Sequence, residues 1–505
     1  YISFKIYPAF VKRLLFGVVL TAFINLMKTP HHVVWLRQDL RSTDNTALMA
    51  ACENPEAIVT ALYVATPKQW SAHDVAGVRI DFERRHLLML QETLKSLGIA
   101  LVVLQCDDFA ATPSLLSHWL QQHGVSALFA NKQYELNELT RDQQVSEALN
   151  KVGVTSSWFD DLCIIPPGQV LKADAGYYTV FTPFKRNWLG IIEQQGVRVA
   201  AAPLPRKNRI NAMLWASWSY TPSHVTEAVS KHLWPVGEDS AYQRLLQFID
   251  DDGARYKEQR DLAAENGTST LSPYLAAGII SARQCLQLAL HKRGHSNTQN
   301  RLGFDTWISE LCWRDFYKHI LVGFPHVCRH QAFKRETDQL KWRHDEALFA
   351  AWCEGRTGFP IVDAAMKQLQ QTGWMHNRLR MITAMFLTKD LFIDWRLGEQ
   401  FFMRHLIDGD LSANNGGWQW SASTGNDAAP YFRIFNPVLQ SQKCDPEGRF
   451  IRQFLPELAS LDNKQIHEPY AKGKSVVGLR YPRPIVDHNE ARQHTLASFK
   501  SLGPN

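Results

Sequence analysis

The chain is 505 residues long with 45% apolar and 21% charged side chains, the balance of a soluble globular protein with length enough for two or three domains, each with its own core. Its net charge of +6, with no run of Lys and Arg that resembles a basic tail, permits nucleic-acid binding without requiring it. The eight cysteines (Cys52, Cys106, Cys163, Cys285, Cys312, Cys328, Cys353 and Cys444) are scattered without a Cys-x-x-Cys pair, which argues against a zinc site or a disulfide framework and for a reducing, cytoplasmic compartment. His326, Cys328 and His330 come nearest to a metal cluster, but no second ligand group lies at useful spacing, so no metal is expected. Sixteen tryptophans are a heavy load. Tryptophan anchors helices, stacks on bases and flavins and can pass electrons; most of the sixteen are read as anchors.

The chain opens at Tyr1, and its first methionine is Met27. Lys12 and Arg13 followed by an apolar run over 14–26 have the outline of a signal-peptide core, but the run is short against the ~20 residues of a membrane span and no A-x-A site precedes Met27. Residues 1–26 are read as upstream sequence translated in frame, with a membrane anchor as the alternative. From His31, short apolar runs at 33–36, 57–64, 101–104, 127–130 and 157–159 read as strands, and the segments 46–52, 78–97, 113–123 and 137–152 between them carry helical spacing. Five strands alternating with helices over 27–159 predict a doubly wound parallel sheet of Rossmann type. Neither G-x-G-x-x-G nor G-x-x-x-x-G-K-[ST] follows the first strand, which argues against a dinucleotide dehydrogenase or a P-loop enzyme.

Residues 160–237 are Pro-rich and irregular and read as a linker draped over the surface, with one helix around 184–194. Over 238–505 strand signals vanish, and an all-helical domain is expected. Ser281-Ala-Arg-Gln284 is a capping box opening a helix to about His291. A helix over 305–321 places Trp307, Glu310, Arg314 and Tyr317 along one stripe. A further helix over 360–371 ends at Gly373, and 375–391 reads as one two-faced helix.

Chemistry concentrates in three places. Thr268, Ser269, Thr270, Leu271 and Ser272 put hydroxyls just before Pro273; Ser272 suits an N-cap, and the strip is either an ordinary cap or a phosphate site without a glycine loop. Trp313, Arg314 and Asp315 share a helix with Glu310, and Trp374 to Arg378 begin another. Arginine, tryptophan and a carboxylate together suit a pocket for an extruded base, against the bland reading of core Trp with solvated Arg. The stretch 408–437 mixes Asp408, Asp410, Asn414, Asn415 and Gln419 with Trp418, Trp420, Tyr431, Phe432 and Phe435. It is too apolar for a surface loop and too polar for a plain core, so it reads as the lining for a large ring system with polar edges or as a polar network under a loop.

These residues carry a resemblance. VVWLRQDLRSTDN (33–45), TPFKRNWL (182–189), GTSTLSPYLAAG (267–278), ELCWRDFY (310–317), GFPIVDAAM (358–366), GWMHNRLRM (373–381), KDLFIDWR (389–396) and DGDLSANNGGWQWSASTGNDAAPYFRIFNP (408–437) occur in the order of the cryptochrome/photolyase family. Within it the chain resembles the bacterial class I cyclobutane pyrimidine dimer (deoxyribodipyrimidine) photolyases of the folate-antenna type. The resemblance implies FAD in the helical domain and light-driven DNA repair: excited reduced FAD passes an electron to a pyrimidine dimer flipped out of UV-damaged DNA, the dimer splits, and the electron returns. By matching position it implies Tyr256 and Thr268–Ser272 at the phosphates and ribityl chain, and Asn377, Arg380, Asp408, Asp410 and Asn414 around the flavin. It implies Trp342, Trp395 and Trp418 as an electron relay, and Glu310, Trp313, Met381 and Trp420 facing the dimer beside Asn414. Arg260, Arg314, Arg378 and Arg433 are implied at the DNA, with Trp313 and Asn377. His73, Asn137, Glu138, Cys328 and Arg329 are implied at a 5,10-methenyltetrahydrofolate antenna. A monomer with no obligate protein partner and no membrane attachment is expected. Two positions depart from the pattern: Thr270 and Arg329 stand where relatives carry Arg and Lys. A cryptochrome photoreceptor and a six-four photoproduct photolyase are the alternatives; the latter is expected to carry His at the position of Met381.

Overall fold

The computed structural model describes residues 29–206, 229, 231–471 and 478–502, so the expectation for residues 1–26 lies outside the described residues. Five strands, β1 (His31–Leu36), β2 (Ile58–Ala65), β3 (Ala100–Gln105), β4 (Ala127–Asn131) and β5 (Thr155–Phe159), form one parallel sheet in the order β3-β2-β1-β4-β5. The winding reverses at β1, where Val34 lies opposite Ala61 on one side and Phe129 on the other. A strand covered on both faces has no solvent side to mark with polar residues, and β1 accordingly buries Val33, Val34, Trp35 and Leu36. Alternate residues serve opposite faces. Val34 and Leu36 share a core with Leu48 of α1 (Thr46–Cys52) and with Leu87 and Leu90 of α2 (Gly77–Ser96). Val33 and Trp35 share another with Leu116 and Leu120 of α3 (Thr112–Gln122) and Val145 of α4 (Leu136–Lys151). Each of these elements lies within two residues of its expected bounds.

Residues 164–192 of the connector are not draped over the surface. Its helix α5 (Phe181–Gln195) repeats Phe184, Trp188 and Ile192 every fourth residue, an apolar stripe that has to be covered, and all three are buried in one core with α6 (Glu238–Asp251), α7 (Ala282–Gly294) and α8 (Thr298–Gly323). Buried Asp315 of α8 accepts from the N–H groups of Ile164 and Ile165 and from the Trp188 indole, each at 3.0 Å. This part of the connector therefore belongs to the helical core.

The capping box of α7 closes in both directions, Gln284 N–H to Ser281 Oγ at 3.0 Å and Ser281 N–H to Gln284 Oε1 at 2.9 Å. Helix α8 starts at Thr298, ahead of the expected 305, because the Asn297 side chain accepts from the Asn300 N–H at 2.9 Å. The helix α9 (Pro360–Thr372) ends on Gly373 in the left-handed region, φ 68°. The expected single helix over 375–391 is instead α10 (Asn377–Met385) followed by a π turn over Phe386–Asp390. The wide turn shifts the register, so that buried Lys389 reaches the Ala422 carbonyl and the Ser423 hydroxyl while Asp390 reaches His488. Helices α11 (Trp395–Met403), α12 (Leu411–Ala422), α13 (Pro437–Cys444), α14 (Arg449–Phe454) and α15 (His488–Lys500) follow in the helical half, and a short helix over Glu346–Cys353 precedes α9. Among the described residues no helix is long and apolar enough to cross a membrane.

Replacing Asp315 with alanine leaves two backbone N–H groups and an indole buried without acceptors. The expected cost is about 3 kcal/mol, read as a lower urea midpoint at unchanged m-value. Asp315→Asn, which keeps an acceptor, is expected to lose less.

Candidate functional site

Helix α12 is the centre of the site. Asp410 caps it, accepting from the Ala413 N–H at 3.0 Å and the Ser412 hydroxyl, and its second oxygen meets Lys318 Nζ at 2.7 Å. Burial would raise the Asp410 pKa, but Lys318 and Arg314 hold it well below the usual carboxylate range. Asp408, two residues earlier, is buried and takes the Arg380 guanidinium on both oxygens, at 2.8 and 3.1 Å. Four residues into α12, the Asn414 amide donates to the Glu399 carbonyl at 3.0 Å, and its own carbonyl oxygen takes no described partner. Asn415 and Gln419 behave differently. Asn415 donates to Glu399 Oε1 and accepts from Gln419, at 2.8 Å each, so this pair is structural network rather than lining. The reading of a polar network therefore holds for this pair.

The tryptophans of the expected relay lie in one continuous core. Trp395 and Trp418 are buried, and Trp342 retains 8% exposure. Gly398 makes the contact between α11 and Trp418 possible, because a Cβ there would stand 2.2 Å from the indole. Trp342 packs against Phe392 at 4.9 Å between ring centroids, three residues before Trp395. Sequence reasoning missed Trp352 and Phe402, which pack edge-on against Trp418 at 6.0 and 5.0 Å. Only the aromatic richness of the region pointed to them.

The strip 268–272 is half-buried except for Leu271, which is buried. Ser272 is not the N-cap: Leu271 precedes the short helix Ser272–Ala276 without a side-chain cap bond, and Ser272 Oγ accepts from the Trp374 indole at 3.1 Å. Tyr256 is buried nearby, with the Arg260 guanidinium 5.8 Å from its ring centroid. Among the described residues several buried polar atoms of the helical half have no partner, among them His376 Nε2, Gln259 Oε1 and the indole nitrogens of Trp395 and Trp418. His376, also missed from sequence, has its pKa lowered to about 4 by burial.

Two opposed charge pairs lie close to the strip. Arg260 meets Glu310 at 2.5 Å, and Arg378 grips Asp261 at 2.6 and 3.1 Å. Burial raises the Glu310 pKa in spite of Arg260. Trp313 stacks on Phe181 at 3.6 Å with rings 7° from parallel. Met381 and Trp420 are half-buried, while Asn377 and Arg433 are exposed beyond them. Arg314 does not belong to this face. Its guanidinium donates to the Leu162 carbonyl and its charge acts on Asp410, so it serves the seam between the two halves and is withdrawn as a DNA contact.

A separate cavity of about 440 Å3 lies between the sheet domain and α11, and it collects His73, Asn137, Glu138, Cys328 and Arg329 with Glu399. Its volume is that of a small-molecule site. The Asn137 amide donates to His73 Nε2 at 3.0 Å, which leaves His73 Nδ1 facing Glu138 at 3.6 Å. Burial, reinforced by the neighbouring Glu135 charge, pushes Glu138 up to about 7.

Residues 32–206 match the DNA photolyase family model, and residues 307–501 match the FAD binding domain of DNA photolyase. The chain is 47% identical over 471 residues to the deoxyribodipyrimidine photo-lyase of Escherichia coli, covering 93% of this chain and 98% of that one. It is 44% identical to that of Vibrio cholerae over 93% and 99% of the two chains. The chain belongs to the DNA photolyase family. Among solved structures, a bacterial class III photolyase from Agrobacterium tumefaciens superposes with TM-score 0.83 at 35% identity over 94% and 98% of the two chains. A Synechocystis cryptochrome superposes with TM-score 0.78 at 27% identity over 93% and 99%. FAD is the cofactor of the family's helical domain, and the donor set here fits it: hydroxyls for phosphates, a balanced Arg380–Asp408 pair, the open Asn414 carbonyl oxygen and unpartnered buried nitrogens such as His376 Nε2.

A carboxyl that keeps its proton to about 7 in the fold but only to 4.5 when unfolded stabilises at low pH, and that stability is lost as pH rises from about 4.5 through 7. Glu138→Gln is expected to flatten the decline in melting temperature between those pH values relative to the unsubstituted protein, measured without added folate.

Proposed function

We propose that the protein splits cyclobutane pyrimidine dimers in DNA, using blue or near-ultraviolet light. The observation that carries this reading is the shared position of α12. One helix carries Asn414, whose carbonyl oxygen takes no described partner, Trp418 in the tryptophan core and half-buried Trp420. Relatives at 44% and 47% identity that bear the deoxyribodipyrimidine photo-lyase name support the substrate. FAD, when bound and reduced, supplies the light-driven electron.

The chain's own residues bind, orient and shield. Arg260, Arg378 and Arg433 take DNA phosphates at the mouth, and a phosphate there competes with Glu310 and Asp261 for the first two. Glu310, half-buried and released from Arg260, favours its protonated form and then donates a hydrogen bond to a carbonyl of the extruded dimer. Trp313, Met381 and Trp420 offer the apolar faces that a base pair lost from the stack needs. Arg380 neutralises Asp408, so that a change of charge at the cofactor meets a balanced pair. Trp342, Trp395 and Trp418 carry electrons inward from the surface side to restore the reduced cofactor. Met381, in place of a histidine, favours dimer over six-four repair. The cavity that holds Glu138 and Arg329 is assigned to a folate antenna.

Trp418→Phe is expected to slow photoreduction of oxidised protein at least tenfold while repair by chemically reduced protein stays within twofold; equal loss of both rejects the relay. Arg378→Ala is expected to weaken binding to dimer-containing duplex and to reduce the slope of log K against log salt by about one phosphate contact, ~0.9. An unaltered slope removes Arg378 from the phosphates.

A further inference from the structure

Three arginines of the site meet carboxylates: Arg260 meets Glu310, Arg378 meets Asp261 and Arg380 meets Asp408. Arg244 on α6 does not. Among the described residues no carboxylate lies within ion-pairing distance of it. One end of its guanidinium donates to the Thr270 hydroxyl and the other to the Leu233 carbonyl at 3.4 Å. The group lies 5.6 Å from the Trp234 ring centroid and 5.5 Å from that of Tyr274, whose phenol hydrogen-bonds the Pro235 carbonyl at 2.8 Å. Two rings and one hydroxyl fix the position of a full positive charge without neutralising it, and most of its five N–H groups remain to be used.

The residue it reaches is held in an uncommon conformation. Thr270 has φ 48°, in the left-handed region that disfavours a β-branched side chain. Its strip is clamped on both sides. Gly267 lies so close to Gln259 that a Cβ would stand 2.5 Å from that side chain, and Ser272 is tied to the Trp374 indole. A threonine oxygen that accepts from arginine keeps its own proton to donate, so Arg244 and Thr270 together offer charge and a hydroxyl to one anion. Thr270 is also where the family pattern has an arginine, and Arg244 brings a guanidinium to that residue from another helix.

We propose that Arg244 binds the pyrophosphate of FAD together with Thr270. This rests on reading 268–272 as the phosphate strip. In equilibrium flavin release from the holoprotein, followed by recovery of flavin fluorescence, Arg244→Gln is expected to raise the FAD dissociation constant about ten- to a hundredfold, the range for a lost charged hydrogen bond. ADP is expected to compete about tenfold less well with FAD rebinding to this variant, whereas riboflavin competes as before. Arg244→Lys is expected to recover part of the affinity, and Thr270→Val, which removes the hydroxyl and keeps the bulk, to lose part of it. A dissociation constant within twofold of the unsubstituted protein overturns the proposal. So does an equal loss of ADP and riboflavin competition with a lowered melting temperature of the flavin-free protein, which makes Arg244 an ordinary anchor of α6. If Arg244→Gln does not fold, the lysine and valine variants decide by the same criteria. An unsubstituted protein that takes up no FAD defeats the reading beneath the proposal instead.

Discussion

The two halves of the molecule meet around one ammonium group. Lys318, with no exposed side-chain surface, lies 2.9 Å from Glu135 of the sheet domain and 2.7 Å from Asp410 at the head of α12. Burial alone favours loss of its proton, but Asp410 and Glu135 together hold the pKa above its ordinary value. Such a triad gives little net stability, because desolvating three charges offsets most of their attraction. It gives position. If α12 shifted along its axis, Asp410 would leave a buried cation short of a partner, so the helix that presents Asn414 and Trp418 is fixed relative to the sheet. Glu135 also lines the large cavity, and Arg79 on another wall of it donates to the Gly409 carbonyl. The proposed antenna site and the proposed flavin site thus share a wall built from buried charge.

Charge is used differently at the opening. Glu310 and Asp261 are partly exposed, their side chains retaining 30% and 50% of their accessible surface. Ion pairs so close to water are worth little, which makes their arginines available to a phosphate at small cost. The contrast follows from burial: the same residue types fix a helix where water is excluded and act as exchangeable partners where it is not.

Much of this was legible in the sequence, for a physical reason. A strand covered on both faces declares itself as a continuous apolar run, and Ser281 with Gln284 or Gly373 declares a helix end by local chemistry alone. What stayed hidden depended on partners far along the chain. Lys318 reads as one more charge on a helix until Glu135, 183 residues earlier, is brought beside it. Arg314 was implied at the DNA by the resemblance alone; its acceptor, Leu162, is 152 residues away. The start of α8 was missed because Asn297 caps a polar first turn with no apolar period to announce it. The π turn was missed because nothing local requires it: it answers to where Lys389 and Asp390 must point.

The tryptophan core raises a question of proton as well as electron. The indole N–H groups of Trp395 and Trp418 are buried and meet no acceptor, and leaving such a donor unpaired costs roughly 1–3 kcal/mol. A core selected only for stability would supply an acceptor or replace the indole with phenylalanine. In the proposed relay the missing acceptor has a use. An oxidised indole becomes a strong acid, and a base at hydrogen-bond distance would take its proton and trap the hole where it formed. With no acceptor in reach among the described residues, the proposed relay would keep the charge at Trp418 and Trp395 mobile until it reached Trp342, the most exposed of the three at 8%. The direction of the relay is then set by where a proton can be lost.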